Sequence, residues 1–390
     1  MKVFLLSIVF PAILLLVSTS FAENFSPPTN RVTAYCQDAD SVLYKKIDSL
    51  VISYLRNNTI PGISIGITKN RKIYYTHGYG FADIKKNIPV VPLTNFETGS
   101  VSKLFTSTAI MQLVEQGKID ITNKLVFYLP EFKMTDLRYR DITIAQMLTH
   151  TSGLPDVKNY NWGNVDSDSL ALKNYVLKPA FNTLLFAPGS DQRYSNWAFD
   201  ILGYVVEKIT GENFEEYVFN HILSVTGMVN SSFDYYKIPL VRRSLPYSST
   251  IFKKYKPCST YPYNKEHAPC GMLNSCAVDL SEWMIEIQNI YDDTSNTYKG
   301  VINHATLTKM WKTKPSDLAP NLFNGLTWWK KESEQYGNYY FHNGTVPGFC
   351  ASLTIWPENE IGIVVLCNTN AENIAWSKIP FEIEQLVIKQ

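Results

Sequence analysis

Strand-like segments lie near both ends of this 390-residue chain, and a long region of helical periodicity separates them. Near the beginning, Ile63–Thr68 and Lys72–Tyr79 flank Lys69-Asn70-Arg71, a pattern that predicts a β-hairpin. Near the end, the strand-like runs are Tyr339–His342, Phe349–Trp356 and Ile361–Cys367. This order predicts one antiparallel sheet that is built from both ends of the chain, with a helical lobe inserted between them.

Helical spacing of apolar residues completes the predicted architecture. The predicted helices are Asp40–Arg56, Ser100–Gln116, Thr143–Leu148, Trp197–Ile209, Phe214–Leu223 and Ala371–Lys389. The fold class is therefore α/β of the α+β type, an antiparallel sheet flanked by terminal helices. We expect an α/β lobe from about residues 37–100 and 300–390, and a mostly helical lobe from about residues 101–299. Residues 229–276 are rich in Tyr, Pro and Ser without a steady period, which predicts a lid or a pocket rim.

The first 22 residues have the pattern of a secretory signal peptide. Lys2 precedes the apolar stretch Val3–Val17, and the small residues Ser20 and Ala22 predict cleavage near Ala22. The mature domain would then comprise residues 23–390 and be exported, to the periplasm or the extracellular space. No other stretch approaches the roughly 18 apolar residues of a membrane span. The net charge of +1 gives no electrostatic case for binding nucleic acid.

Six cysteines in an exported chain favour disulfides. If Glu358 and Asn359 form a two-residue turn between the last two strand-like runs, Cys350 lies directly opposite Cys367. The remaining four, Cys36, Cys258, Cys270 and Cys276, allow three connectivities, and the sequence does not choose among them. The chain contains neither CxxC nor HExxH, so we predict no metal site.

Two short motifs compete for the role of a nucleophile. Gly62–Gly66 matches the Gly-x-Ser-x-Gly elbow, but that elbow requires a strand, a sharp turn and a helix. Here the motif lies inside a strand that leads to a second strand, so Ser64 is predicted to be a strand residue. The other motif, Ser100-Val101-Ser102-Lys103, is the only Ser-x-x-Lys in the chain and begins a predicted helix.

Ser100 and Lys103 are three residues apart, so a helix places them on one face. A serine hydroxyl becomes an effective nucleophile when a neighbouring base accepts its proton. A lysine can be that base when burial or a nearby cation lowers its pKa. The spacing therefore indicates a nucleophilic serine with a lysine partner.

Three further strings follow Ser100 in order. Together with Thr98–Lys103, the strings Leu148–Pro155, Phe186–Gly189 with Tyr194-Ser195-Asn196, and His342–Thr345 resemble a known group of serine hydrolases. That group comprises class C β-lactamases, DD-peptidase penicillin-binding proteins and related esterases. The resemblance covers roughly residues 40–385. It implies a β-lactamase/transpeptidase-like fold and an acyl-enzyme on a serine, without a cofactor.

By position in these motifs, the resemblance implies that Ser100 is the acylated nucleophile. Lys103 or Tyr194 would accept its proton, and the residues do not decide between them. Asn196 would donate its amide to the substrate carbonyl or to Lys103. We expect His150, in the second string, to be a structural histidine that holds a turn.

The last motif, at His342-Asn343-Gly344, occupies the place of the family's Lys-Thr-Gly strand. Gly344 would let a substrate backbone lie along the strand, and the Thr345 N–H would form the oxyanion hole with that of Ser100. A neutral histidine binds a substrate carboxylate less strongly than lysine does. His342 therefore favours the peptidase and esterase branches over an efficient β-lactamase.

The function predicted from the sequence is an exported serine hydrolase, with D-Ala-D-Ala-type carboxypeptidase or esterase activity on a small-molecule, peptide or ester substrate. One alternative is a β-lactamase. A second alternative is a non-catalytic penicillin-binding or scaffold protein that keeps the fold. Loss of Ser100, Lys103 or Tyr194 would mark that class, and all three are present.

Overall fold

A computed structural model describes residues 41–164, 168–178, 182–249, 255–316 and 319–389 of the chain. The helices within these ranges are α1 (Ser41–Asn57), α2 (Ser102–Glu115), α3 (Leu125–Tyr128), α4 (Ile144–Leu148), α5 (Ala171–Leu177), α6 (Asn196–Thr210), α7 (Phe214–Val218), α8 (Ala268–Gly271), α9 (Ala277–Asp292), α10 (His304–Trp311), α11 (Glu372–Ala375) and α12 (Ile379–Ile388). The predicted signal peptide and Cys36 lie outside the described residues.

The strands in the same ranges are β1 (Gly62–Lys69), β2 (Lys72–Asp83), β3 (Ile88–Pro89), β4 (Phe96–Glu97), β5 (Tyr247–Ser249), β6 (Tyr255–Pro257), β7 (Asn274–Ser275), β8 (Lys314–Pro315), β9 (Leu322–Asn324), β10 (Trp329–Ser333), β11 (Gly337–Val346), β12 (Phe349–Trp356) and β13 (Ile361–Cys367). Among the described residues the main sheet has the order β3-β2-β1-β13-β12-β11-β10-β9-β8, and its neighbouring strands are antiparallel. The first and last parts of the chain meet where β1 pairs with β13, which confirms the predicted sheet.

The two faces of the sheet bury separate apolar cores, because successive strand side chains point to opposite faces. Ile63, Ile65 and Ile67 face the terminal helices, where α1 presents Leu43, Ile47, Val51 and Leu55 and α12 presents Ile383 and Val387. The four apolar residues of α1 recur every fourth position, which produces one apolar face. Val364 and Leu366 belong to the opposite core, together with α2, α6 and α9.

Two predicted helices differ in detail from the structure. The helix predicted for Phe214–Leu223 begins as α7 and continues from Phe219 as a turn of π-helix. The predicted C-terminal helix is divided into α11 and α12, and Pro380 lies in the first turn of α12. A proline is tolerated there because its missing N–H would have no helical partner at that position. Periodicity does not reveal such interruptions.

The register of the last hairpin is the one predicted from the sequence. Cys350 pairs with Cys367, and Trp356 pairs with Ile361. The turn itself differs from the two-residue turn at Glu358 and Asn359 that we expected: the connection has four residues, Pro357–Asn359 form a turn of 3-10 helix, and Glu360 adopts a left-handed φ of 51°. Both cysteines are buried and present as free thiols. The disulfide itself stays a prediction.

Ser64 lies in β1, fully buried, and pairs with Leu366 on one side and Gly78 on the other. This confirms that the Gly62–Gly66 motif is part of a strand. Over the described ranges, no helix combines the length and the apolar character that crossing a membrane requires.

Candidate active site

Ser100 lies in a turn of 3-10 helix, Gly99–Val101, that leads directly into α2. Gly99 has a left-handed φ of +56°, which a glycine adopts without strain. A Cβ atom at Gly99 would lie 2.6 Å from the backbone nitrogen of Thr345. The glycine therefore allows β11 to pass against the turn that carries Ser100.

Gly344 is required for the same close approach of β11 to the turn that carries Ser100. We had expected this glycine to make room for a substrate backbone, and the structure gives a different reason. A Cβ atom on Gly344 would lie 1.9 Å from the backbone oxygen of Thr98 and 2.7 Å from the nitrogen of Ser100. The space beside Gly344 is thus filled by the chain's own turn and not by a substrate backbone. The glycine holds Thr345 beside Ser100, as an oxyanion hole from these two N–H groups would need.

Lys103 is fully buried beneath Ser100 and donates three hydrogen bonds. Its Nζ lies 3.1 Å from Ser100 Oγ, 2.5 Å from Asn196 Oδ1 and 2.5 Å from the backbone oxygen of Cys270. Burial lowers the pKa of Lys103, but Tyr194 and other neighbours outweigh this effect and hold the pKa above its ordinary value. Lys103 is therefore an ammonium group, and each of its three N–H groups donates a hydrogen bond.

Tyr194 stacks on His150, with ring centroids 4.1 Å apart. The Nζ of Lys103 lies 5.0 Å from the centre of the Tyr194 ring. The Tyr194 hydroxyl is buried and meets no hydrogen-bond partner of good geometry among the described residues. Its oxygen therefore remains available to accept a proton.

His150 is structural, as predicted. Its ring is buried, and Nδ1 accepts a hydrogen bond of 3.2 Å from the backbone N–H of Ser195. Burial and the charge of Lys103 hold its pKa well below the ordinary value, so the ring is neutral. His150 thus orients the Tyr194-Ser195-Asn196 segment that begins α6.

The direction of the Asn196 hydrogen bonds differs from the expectation. Its Oδ1 accepts from Lys103, while Nδ2 donates to both carboxylate oxygens of Asp156 at 3.0 and 3.2 Å. Its backbone N–H also donates to Asp156 at 2.8 Å. Asp156 is therefore a positioning residue that we missed from the sequence, although it directly follows the Leu148–Pro155 string.

His342 is almost fully buried at the wall of the site. Its Nδ1 lies 2.7 Å from the backbone oxygen of Asn343, which makes Nδ1–H the donor, and Nε2 has no partner among the described residues. Burial, followed by the charge of Lys103, lowers its pKa to about 3. His342 is thus neutral and supplies no positive charge to a substrate carboxylate.

The neutral His342 predicts a measurable pH dependence of stability. Its folded-state pKa is below the unfolded value near 6.5, so the unfolded chain binds one more proton between these values. As pH falls below about 6.5, His342 should cost about 1.4 kcal/mol of unfolding free energy per pH unit. In the His342→Asn variant an amide replaces Nδ1. We expect its unfolding free energy to fall by about 1.4 kcal/mol less per pH unit than that of the wild type. Urea unfolding at pH 6 to 4.5 measures the difference.

Comparing the pH dependence of the unfolding free energy between variant and wild type cancels the contributions of other buried titratable groups. His150 contributes a slope of the same sign. Glu97, whose pKa burial raises to about 8, contributes the opposite sign, because its stabilisation is lost as pH rises. Equal slopes for wild type and His342→Asn would show that His342 is protonated in the folded protein.

These side chains surround a cleft of about 880 Å³. The predicted site residues that line it are Ser100, Tyr194, Asn196, His342, Asn343, Gly344 and Thr345, and Lys103 lies beneath them. The structure thus brings together all eight predicted residues. The 229–276 segment, for which we expected a lid or a pocket rim, contributes Cys270, Gly271 and Met272 to the wall of the cleft.

One group of metal-ligating side chains, Asp200, His267 and Cys270, occurs among the described residues, with its ligand atoms within 4.8 Å of one another. Asp200 and His267 are fully buried and bind each other directly, with Oδ2 2.8 Å from Nδ1. Burial is the largest cause that raises the pKa of Asp200. The ammonium group of Lys103 is also close to Asp200, which disfavours a second cation there. The pair is better described as an internal hydrogen bond behind the site.

The sheet with helices on both faces, and the Ser-x-x-Lys turn at its edge, define the β-lactamase/transpeptidase-like fold. A solved class C beta-lactamase matches with a TM-score of 0.71 and 21% identity over 90% of this chain and 96% of the other. The octameric penicillin-binding protein homologue from Pyrococcus abyssi matches with a TM-score of 0.70 and 23% identity, over 84% of this chain and 74% of the other. At these identities the likeness shows the fold.

The chain belongs to the beta-lactamase family, whose model matches residues 47–382. Protein flp of Staphylococcus aureus (strain NCTC 8325 / PS 47) is 28% identical over 339 residues. The match covers 85% of this chain and 64% of the relative, so the chain spans less than two thirds of that protein's length.

Proposed function

We propose that this chain is a serine hydrolase that forms an acyl-enzyme on Ser100, with an ester or a D-Ala-D-Ala-type peptide as substrate. The observation that carries the proposal is the 3.1 Å hydrogen bond from Lys103 Nζ to Ser100 Oγ at the floor of an open cleft. An ammonium donor at this oxygen stabilises the negative charge that develops when the hydroxyl loses its proton.

The proton of Ser100 passes to the Tyr194 hydroxyl oxygen in this proposal. Lys103 is a poor acceptor because its three N–H groups already donate to Ser100, Asn196 and Cys270. Among the described residues the Tyr194 oxygen has no hydrogen-bond partner of good geometry, and Tyr194 lines the same cleft. A phenol accepts a proton only in its ionised form, so the step requires that form of Tyr194, whose ring centre lies 5.0 Å from the Lys103 ammonium group.

The reaction then follows the chemistry of acyl transfer. Ser100 Oγ attacks the substrate carbonyl carbon, and the N–H groups of Ser100 and Thr345 donate to the oxyanion. The bond to the leaving group breaks as Tyr194 returns the proton to it. A water molecule then attacks the ester on Ser100, which releases the acid and restores the serine.

Intact mass spectrometry tests this proposal. The purified protein is incubated with a p-nitrophenyl ester and, separately, with a fluorescent penicillin. We expect a mass increase by one acyl group with at least one reagent, and no increase in the Ser100→Ala variant. Release of nitrophenol beyond one equivalent indicates an esterase, a stable penicillin adduct indicates a penicillin-binding peptidase, and penicillin turnover indicates a β-lactamase. No adduct and no turnover with either reagent would contradict the proposal.

We also propose that the protein is exported, on the basis of the signal-peptide pattern in residues 1–22. N-terminal sequencing of the protein recovered outside the cytoplasm should begin near Glu23. A recovered chain that retains Met1 would contradict cleavage at this position.

Export predicts a disulfide between Cys350 and Cys367. The two residues are directly opposite on adjacent antiparallel strands, and such pairs have Cα atoms about 4.5–5.5 Å apart, which a disulfide can join. Both side chains belong to the core beneath the terminal helices. Non-reducing peptide mapping of the exported protein should recover the two cysteines in one linked peptide. Finding Cys350 joined to Cys36, or unmodified, would show that the compartment or the pairing is wrong.

A further inference from the structure

Glu372 is the one Asp, Glu, Lys or Arg side chain among the described residues that line the cleft above Ser100. His342 is neutral because burial lowers its pKa to about 3, and Lys103 is fully covered. The described wall is otherwise neutral and contains the aromatic side chains of Tyr160, Trp162, Trp329, Phe341 and Trp376. The described lining therefore carries one negative charge and no exposed positive charge, and the nearby carboxylate of Asp156 is already bound by Asn196.

Hydrogen bonds hold the Glu372 carboxylate in place. Oε1 accepts from Thr345 Oγ1 at 2.8 Å and from Asn370 Nδ2 at 3.0 Å. Asn370 is itself fixed, since its Oδ1 accepts from the backbone N–H of Gly348 at 2.9 Å. Oε2 makes no hydrogen bond to a described residue, and no Lys or Arg of these residues forms an ion pair with Glu372. One oxygen is thus anchored while the other can bind a ligand.

Thr345 connects the Glu372 carboxylate with the proposed oxyanion hole. Thr345 binds Glu372 through its side chain and, in the proposed mechanism, the oxyanion through its backbone N–H. Glu372 is therefore hydrogen-bonded to the residue whose N–H would bind the oxyanion. A carboxylate of the substrate on this side would face a like charge, whereas an ammonium group would face an opposite charge. Trp376, one helical turn after Glu372, also lines the cleft, and its ring face attracts cations.

We infer that the cleft selects esters that carry an ammonium group and disfavours substrates with a carboxylate near the scissile bond. The inference rests on the proposed acyl-enzyme chemistry at Ser100 and names its substrate class. It ranks a cationic ester above a D-Ala-D-Ala peptide or a penicillin, both of which present a carboxylate. A charge-assisted contact supports a preference on the order of 10- to 100-fold in kcat/KM.

Two matched substrate pairs test the inference. In the first, the cation is on the leaving group: acetylthiocholine is compared with the thioester in which carbon replaces the quaternary nitrogen. In the second, the cation is on the acyl group: the p-nitrophenyl ester of γ-trimethylammoniobutyrate is compared with its carbon isostere. Each pair has equal shape and differs in charge. We expect wild type to prefer the cationic member of at least one pair by about tenfold or more.

The Glu372→Gln variant should bring this ratio of kcat/KM close to one, because the amide keeps an oxygen for Thr345 and loses the charge. Glu358→Gln is the matched control, since Glu358 is exposed in the β12–β13 connection, outside the lining of the cleft. This control should keep the wild-type ratio, which excludes a general effect of net charge.

The outcomes separate the inference from the proposed function. Hydrolysis of both members of each pair at equal kcat/KM would overturn the inference and leave the serine hydrolase proposal intact. A cationic preference that persists in Glu372→Gln would also overturn it. Failure to hydrolyse or be acylated by any of the four substrates would contradict the proposed function, and the inference with it.

Discussion

Replacement of Ser100 by alanine should reduce ester hydrolysis by at least three orders of magnitude and abolish acylation. The reason is that Ser100 supplies the oxygen that forms the covalent bond, and loss of a nucleophile typically has an effect of this size or larger. Ser100 lies at a turn on the floor of the cleft, where its hydroxyl accepts one hydrogen bond from Lys103. Steady-state kinetics and intact mass, measured on the same preparation, provide the result.

Ser64→Ala is the matched control for this prediction. Ser64 is buried in β1, and its hydroxyl has no hydrogen-bond partner among the described residues, so its removal deletes no hydrogen bond there. We expect Ser64→Ala to retain activity within about twofold, since the substitution removes one buried oxygen and leaves the strand pairing of β1 in place. If Ser100→Ala kept more than about a thousandth of the wild-type rate while Ser64→Ala lost activity, the nucleophile would be Ser64.

The second large effect is expected at Lys103 and Tyr194. Lys103→Ala and Tyr194→Phe should each lower the acylation rate by at least about a hundredfold, as removal of a general base usually does. Because both residues serve one proton transfer, the double variant should be little slower than the slower single variant. Stopped-flow measurement of the first turnover isolates acylation from deacylation.

The two substitutions differ in their expected cost to stability. Lys103→Ala leaves Asn196 Oδ1 and the Cys270 carbonyl without their donor, which costs about 1–3 kcal/mol for a buried group. Tyr194→Phe removes a hydroxyl that has no hydrogen-bond partner of good geometry in the described part of the chain, so it should cost less. Lys118→Ala, at an exposed lysine just beyond α2, is the control for removal of a positive charge. Fully multiplicative losses in the double variant would show that Lys103 and Tyr194 act in separate steps.

Much of the architecture was predictable because it depends on local periodicity. The strands β1, β12 and β13 are buried along almost their whole length, and their short apolar runs, like the four-residue apolar repeat in α1, are patterns that a sequence displays directly. The pairing of Cys350 with Cys367 was predicted correctly although the turn was not, because turns of two and of four residues with the same centre give the same register. The break between α11 and α12 was missed, since the apolar pattern continues across it.

The candidate site, too, was predictable in part. The order of the motifs identified Ser100, Lys103 and Tyr194, since their residue types carry the chemistry. The hydrogen bonds of the Lys103 ammonium group depend on residues that are distant in the sequence. Lys103 donates to Asn196 and to the Cys270 carbonyl, which are 93 and 167 residues away. A backbone carbonyl leaves no signal in a sequence.

The amino-acid sequence by itself determined the sheet, its flanking helices and the residues that meet at the cleft. The tertiary structure alone decided their electrostatic states. Burial makes His342 neutral, Asp156 accepts hydrogen bonds from the Asn196 amide, and Glu372 is the charged side chain of the described cleft wall. Periodicity encodes which face of an element is buried, whereas a charge's environment depends on every element that packs around it, and that packing exists only in the folded chain.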